Sequence, residues 1–207
     1  MDLGIEGLRV IVTAGAAGIG REIARAFAEE GAKVHVCDIA AAALDALGES
    51  DPAIGRTRAD VADRQDVARF FEDAIASLGG LDVLVNNAGI AGPTAAVDEI
   101  DPDDWDRCIT VCLTSQFNCA RLAVPHLKAS DNASIINLSS AAGRLGFALR
   151  TPYAAAKWGV VGFTKSLSVE LGPYGIRANA ILPGLVEGER IQRVFAGKAR
   201  ARNVSAA

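Results

Sequence analysis

Tyr153 and Lys157 stand four positions apart in TPYAAAKWGV, residues 151–160, a stretch otherwise built of small side chains. On a helix, positions i and i+4 share a face with Cβ atoms roughly 5–6 Å apart, so a phenol and an ammonium at this spacing can act on one object. A phenol, with its ordinary pKa of about 10, is a poor base at neutrality. Using one as a base calls for a shift of about three units, worth about 4 kcal/mol. An ammonium about 4 Å away, at an effective dielectric near 20, supplies about 4 kcal/mol. The pair is sufficient for proton transfer at a hydroxyl, and the protonated phenol serves the reverse direction at a carbonyl. The same spacing occurs in ordinary helices, so the rest of the chain has to supply the site around it.

A second group of residues lies near the start of the chain. TAGAAGIGREIARAF follows an apolar run and opens a helical pattern, with Gly15, Gly18, Ile19 and Gly20 in the turn. Glycines there let a backbone approach a pyrophosphate, and a helix N-terminus offers free N–H groups and the positive end of its dipole. Asp38 ends the next apolar run, the usual place for an acid that binds the adenosine ribose hydroxyls. Its charge repels a 2′-phosphate, and neither Ala17 nor Ile39 is basic. The expected cofactor is NAD(H) rather than NADP(H).

The elements that must carry these residues alternate. LRVIVT (8–13), AKVHVCD (32–38), LDVLVNN (81–87), ASIINLSS (133–140) and IRANAIL (176–182) read as buried strands, with RTRAD (56–60) as a weaker one. Helical patterns lie between them. In RQDVARFFEDAIASL, for example, Val67, Phe70, Phe71, Ala74, Ile75 and Leu78 make one apolar stripe. Such alternation implies a single α/β domain, a doubly wound parallel sheet flanked by helices, with ligands beyond the carboxyl ends of the strands.

Composition agrees. The chain has 207 residues, half of them apolar and 5% aromatic, which suits a core of Ala, Val, Ile and Leu. Its 25 acidic and 21 basic side chains leave a net charge of −4, which argues against nucleic acid or an anionic membrane as partner. MDLGIEGLRV lacks a basic, then apolar, leader pattern, so a cytoplasmic location is expected. Cys37, Cys108, Cys112 and Cys119 have no paired metal-ligand spacing and read as small buried hydrophobes. Trp105 and Trp158 read as packing residues. Arg144 and Arg150 read chiefly as solvated, and as possible partners of an anionic substrate.

Taken in order, the Gly15/Gly18/Gly20 loop, Asp60-Val61, the NNAG of Asn86 to Gly89, Ser139-Ser140, Tyr153/Lys157 and Pro183-Gly184 resemble the short-chain dehydrogenases/reductases over nearly the whole chain. The resemblance implies a Rossmann-type domain over 1–207, its substrate region formed by about 141–152 and 185–207. It implies an adenine contact at Asp60 beside Val61, and a platform for the cofactor riboses at Asn87, Ala88 and Gly89. Tyr153 becomes the general acid/base. Lys157 assists it and holds the nicotinamide ribose, while Ser140 orients the substrate oxygen. Pro183 and Gly184 lead to Val186, whose backbone meets the nicotinamide carboxamide. Family members are commonly homotetramers or dimers.

Two positions depart from the family pattern. Val111-Cys112-Leu113 stands where a catalytic asparagine is usual, and Gly188 where a threonine is common. Members also usually continue beyond the point reached by Ala207, with a further strand and helix. The implied activity is NAD(H)-dependent interconversion of a secondary alcohol and a ketone. A non-catalytic NAD(H)-binding sensor or interaction subunit on the same fold is the alternative, motivated by Cys112.

Overall fold

Apolar runs without polar alternation have to be covered on both faces. The computed structural model, which describes residues 3–201, covers them with two layers of helix. The strands are β1 (Arg9–Thr13), β2 (Lys33–Asp38), β3 (Gly55–Arg58), β4 (Val83–Asn86), β5 (Ser134–Leu138) and β6 (Arg177–Ile181). They form one parallel sheet in the order β3-β2-β1-β4-β5-β6. The helices are α1 (Gly18–Glu29), α2 (Ala41–Ser50), α3 (Arg64–Leu78), α4 (Pro102–Ile109), α5 (Ser115–Leu127), α6 (Thr151–Leu171) and α7 (Glu189–Ala201).

Strand residues alternate between the two covered faces. Ile11, Leu84 and Ile135 join Phe70 of α3, Leu127 of α5 and Leu167 of α6. Val10, Val12, Val34 and Val36 join Ala24 of α1 and Leu44 and Leu47 of α2. The stripe on α3 buries Val67, Phe70, Phe71, Ala74 and Leu78, with Ile75 partly covered. Its ends are set locally. The Asp63 carboxylate accepts from the Gln65 and Asp66 backbone N–H groups, and Gly79 ends the helix in the left-handed region at φ 75°.

The doubly wound sheet is the one the alternation implies, and its winding reverses between β1 and β4. That reversal opens a crevice at the carboxyl ends of these strands, where loops leave in opposite directions. The other end is clamped. Asp82 accepts from the Arg9 backbone N–H, from Arg9 Nε and Nη2, and from Ser130 Oγ. The Arg9 hydrogen bonds, against the opposing effect of burial, hold the Asp82 carboxyl down at about 2.

Several details differ from the sequence reading. RTRAD contributes Arg56, Thr57 and Arg58 to the strand Gly55–Arg58, and Ala59 and Asp60 lie beyond it. Trp105 and Trp158 are 38% and 52% exposed, so neither is a core packing residue. Of the three loop glycines only Gly15 precedes α1; Gly18 is its first residue and Gly20 lies in its first turn. Residues 1–2 and 202–207, including part of the expected substrate segment, lie outside the described residues. Among the described residues no helix is long and apolar enough to cross a membrane.

Candidate active site

The glycine loop turns between β1 and α1. Gly15 donates its N–H to the Cys37 carbonyl, and a Cβ there would lie 2.6 Å from Val36 Cβ. Gly18 opens α1 at φ +54° with open space before it, a conformation that suits glycine. A Cβ on Gly20 would strike the Ala14 carbonyl oxygen and the Asn87 amide. The helix has no side-chain cap and no acid in its first turn, so its N-terminal dipole meets no carboxylate of that turn. Ile19 is exposed beside it.

Asp38 lies at the end of β2, across this loop. Its carboxylate accepts from the Ala16 N–H at 3.3 Å and the Ala40 N–H at 3.0 Å. Asn87 locks the loop from the β4 side, donating from Nδ2 to the Thr13 and Ala14 carbonyls at 3.0 Å each. Thr13 Oγ1 in turn accepts from the backbone N–H groups of Asn87 and Ala88. Gly89 follows directly, so the NNAG segment forms one wall of the crevice. Asp60 accepts from the Ala62 N–H and from Arg107 Nη2 of α4 at 3.0 Å. It lines a cavity of about 270 Å³ with Ile39, Arg58, Asp66 and Arg69. Val61 is buried in the core and is not among the lining residues. Arg58, whose Nε donates to the Ile39 carbonyl, was not a candidate in the sequence; its place at the carboxyl end of β3 was the available signal.

Tyr153 and Lys157 are both on α6. The tyrosine is half-buried, and the Lys157 ammonium, 3% exposed, lies 5.7 Å from the centre of its ring. Lys157 Nζ donates to the Leu138 carbonyl at 2.7 Å. Ser139 Oγ donates to the Lys157 carbonyl at 2.8 Å. Gly143 permits this docking, because a Cβ there would strike Ser139 Oγ and stand 2.6 Å from the Lys157 carbonyl oxygen. Ser140 thus begins a short turn held against α6, two residues beyond the end of β5, and its Oγ accepts from the Ala142 N–H at 3.2 Å.

Between α4 and α5 the chain forms a π-helical turn, Thr110–Thr114, with Cys112 inside it. Such turns interrupt the regular i to i−4 ladder. The buried Cys112 thiol makes two contacts with one residue, accepting from the Ile90 N–H and donating to the Ile90 carbonyl, each at 3.4 Å. The thiol therefore pins this turn to the segment that follows NNAG, using both its donor and its acceptor capacity.

Near Tyr153, contacts join the segment after NNAG to the residues before α6 and to α7. Arg150, which the sequence reading placed chiefly in solvent, is 5% exposed. Its Nη2 donates to the Ala91 carbonyl at 2.6 Å and its guanidinium carbon lies 4.7 Å from the Tyr153 ring centre. Arg144 is exposed. Leu149 takes φ +65°, strained for a branched side chain, and accepts from the Ala95 N–H. Lys198 Nζ of α7 lies 5.2 Å from the Phe147 ring centre, and Gly197 packs on Thr94. Pro183 accepts from the Ala141 N–H; Gly184 and Val186 beyond it are exposed.

The family model described as short chain dehydrogenase matches residues 9–199. The chain belongs to this family. Short-chain dehydrogenases similar to it include the cis-4-hydroxycyclohexanecarboxylate dehydrogenase of Sinomonas cyclohexanicum, 41% identical over 86% of this chain and 72% of that one. The D-beta-hydroxybutyrate dehydrogenase of Cupriavidus necator is 36% identical over 97% of this chain and 79% of its own length. Among solved structures, levodione reductase superposes with a TM-score of 0.88 at 30% identity, covering 95% of this chain and 79% of that one. This short-chain dehydrogenase thus has oxidoreductase relatives named for hydroxy and oxo compounds.

Proposed function

We propose that the protein is an NAD(H)-dependent oxidoreductase that interconverts a secondary alcohol and a ketone or related carbonyl. The observation that carries this reading is the buried Lys157 ammonium, seated on the Leu138 carbonyl beneath the Tyr153 ring. A solvated helix cation would not be drawn into the protein, where desolvation disfavours its charge.

The residues present fit a dinucleotide. The α1 N-terminus carries no acid in its first turn, Gly18 leaves open space before it, and a cavity lies beside Asp60 at the far end. In this reading Gly15, Gly18, Ile19 and Gly20 hold the pyrophosphate and Asp38 the adenosine ribose. Asp60 serves the adenine side, and Val61, buried behind it, contributes there through its backbone. Asn87, Ala88 and Gly89 support the riboses, and Pro183, Gly184 and Val186 meet the nicotinamide end. The acidic Asp38 supports NAD(H) over its 2′-phosphate form. Bound there, the nicotinamide supplies hydride acceptance or donation.

The chain's own residues manage the proton and the geometry. Tyr153 takes the proton from the alcohol oxygen, or returns it to the carbonyl oxygen in the reverse direction. Lys157 supplies positive charge close to the phenol and a donor for the nicotinamide ribose. Ser140 Oγ, which accepts from the Ala142 N–H, has its hydroxyl proton to donate to the substrate oxygen. The substrate region comprises about 141–152 and 185–207 of one domain spanning 1–207. Exposed Phe117 on α5 and Trp158 on α6 support a homo-oligomer, a tetramer or dimer. Four free, buried cysteines support a cytoplasmic, reducing setting. Purified protein is expected to bind NADH and consume it with members of a panel of ketones, keto-acids and keto-sugars. Binding without turnover anywhere on the panel would reduce the reading to a nucleotide-binding protein.

A further inference from the structure

The carbonyl that seats Lys157 is left over from the sheet. In β5 the Ser134 N–H bonds to Asp82 on the β4 side, and the Ser139 N–H bonds to Ile181 on the β6 side. Successive residues alternate sides in a parallel ladder, so Leu138 faces the β4 side. The β4 ladder ends one position earlier, at the Asn86 and Asn137 pair. The Leu138 carbonyl has no strand to accept from, and a buried carbonyl needs a partner.

Two side chains provide one. Lys157 Nζ donates at 2.7 Å, and Gln116 Nε2 of α5 donates at 3.3 Å. The same Gln116 nitrogen donates to the Cys112 carbonyl, also at 3.3 Å. Both acceptors are carbonyl oxygens, so the amide orientation is fixed: turned over, it would set oxygen against oxygen. Gln116 is 1% exposed, and its Oε1 finds no hydrogen-bond partner among the described residues. An unsatisfied buried acceptor costs about 1–3 kcal/mol, so an apolar side chain here would serve stability better.

We infer that Gln116 is a positioning residue for Lys157, bridging the carbonyl that seats its ammonium to the Cys112 carbonyl of the π-helical turn. One turn after Cys112, it places an amide at the joint between α5, β5 and α6, and the lysine seat moves with the π-helical turn rather than with the strand alone. The inference rests on the reading of Lys157 as a donor to the nicotinamide ribose.

The test is a double-substitution cycle read by NADH affinity, with calorimetric titration of the purified protein, Gln116→Met, Lys157→Met and the double variant. Thermal melts report folding of each. Gln116→Met removes both hydrogen bonds of the bridge, and loss of the one to the Leu138 carbonyl is expected to weaken NADH binding about two- to tenfold. In the Lys157→Met background the same change is expected to cost less than about twofold, because residues acting through one another are not additive. Equal losses in both backgrounds overturn the inference, since a purely structural role acts through the fold whether or not the lysine is present. Should Gln116→Met fail to fold, the cycle is run with Gln116→Glu, whose effect on affinity is likewise expected to vanish with Lys157→Met. No NADH binding by the unsubstituted protein overturns the cofactor reading, and this inference with it.

Discussion

The sulfur of Cys112 meets both backbone polar atoms of Ile90, accepting from its N–H and donating to its carbonyl at 3.4 Å each. Where the family pattern has an asparagine, a smaller side chain holds the π-helical turn against the segment after NNAG. Cys112→Ser keeps a donor and an acceptor at this place and is expected to keep turnover within about threefold, whereas Cys112→Ala forfeits both contacts and about 1 kcal/mol of stability. Melting curves and kcat for the two variants check this. Equal behaviour of serine and alanine would remove the role assigned to the thiol.

Cofactor choice is expected to rest on Asp38, whose carboxylate already lies against the glycine loop through the Ala16 N–H. Hydrogen bonds to a charged group contribute about 1.5–3 kcal/mol, so Asp38→Ala is expected to weaken NADH binding about tenfold or more. The same change removes the repulsion of a 2′-phosphate, and the NADPH to NADH affinity ratio is expected to rise. Titration of both nucleotides against both proteins reads it directly.

Acid stability should report the clamp at the opposite end of the sheet. Asp82, its side chain 8% exposed in the pair with Arg9, is held down at about 2, below its unfolded value of 3.8. A depressed carboxyl stabilises the fold above its unfolded pKa and loses that contribution as pH falls through the folded one. The difference corresponds to about 2 kcal/mol. Asp82→Asn is therefore expected to destabilise the protein by about 2 kcal/mol at pH 7, and the gap between the two proteins should close between pH 4 and 2 in denaturant titrations.

All four thiols should be silent to reagents in the folded protein. Cys37, Cys108, Cys112 and Cys119 are buried. Burial pushes Cys37 up to about 12 and raises Cys119, while the neighbouring Cys112 and burial raise Cys108. A thiol-specific chromogenic reagent at pH 8 is expected to label none before denaturation and all four after it. Rapid labelling of the native protein would contradict the burial of the Cys108 and Cys112 pair behind Tyr153.

The parallel, doubly wound class of the sheet, the glycine loop and the place of Tyr153 and Lys157 on one helix were legible because each rests on local periodicity or on residues close in sequence. The seat of Lys157 was not legible. It depends on where one ladder ends relative to its neighbour, a register property that no single strand encodes. Gln116 carries no signal of its own, since a lone glutamine on a helix reads as a surface residue until the helix is docked. Arg150 was misread for a related reason: its acceptor is the backbone carbonyl of Ala91, and backbone partners leave no trace in side-chain patterns. Trp158 was misread in the other direction, its side chain standing half exposed on a helix that buries Val160, Leu167 and Leu171 instead.

The central claim is that Tyr153 moves the proton. The most direct measurement follows NADH consumption across a panel of ketones, keto-acids and keto-sugars for the unsubstituted protein and Tyr153→Phe, with NADH affinity measured for both. Loss of one proton-transferring group is expected to lower turnover by about 10²-fold or more while NADH affinity changes less than about threefold. Undiminished turnover by Tyr153→Phe would contradict the assignment.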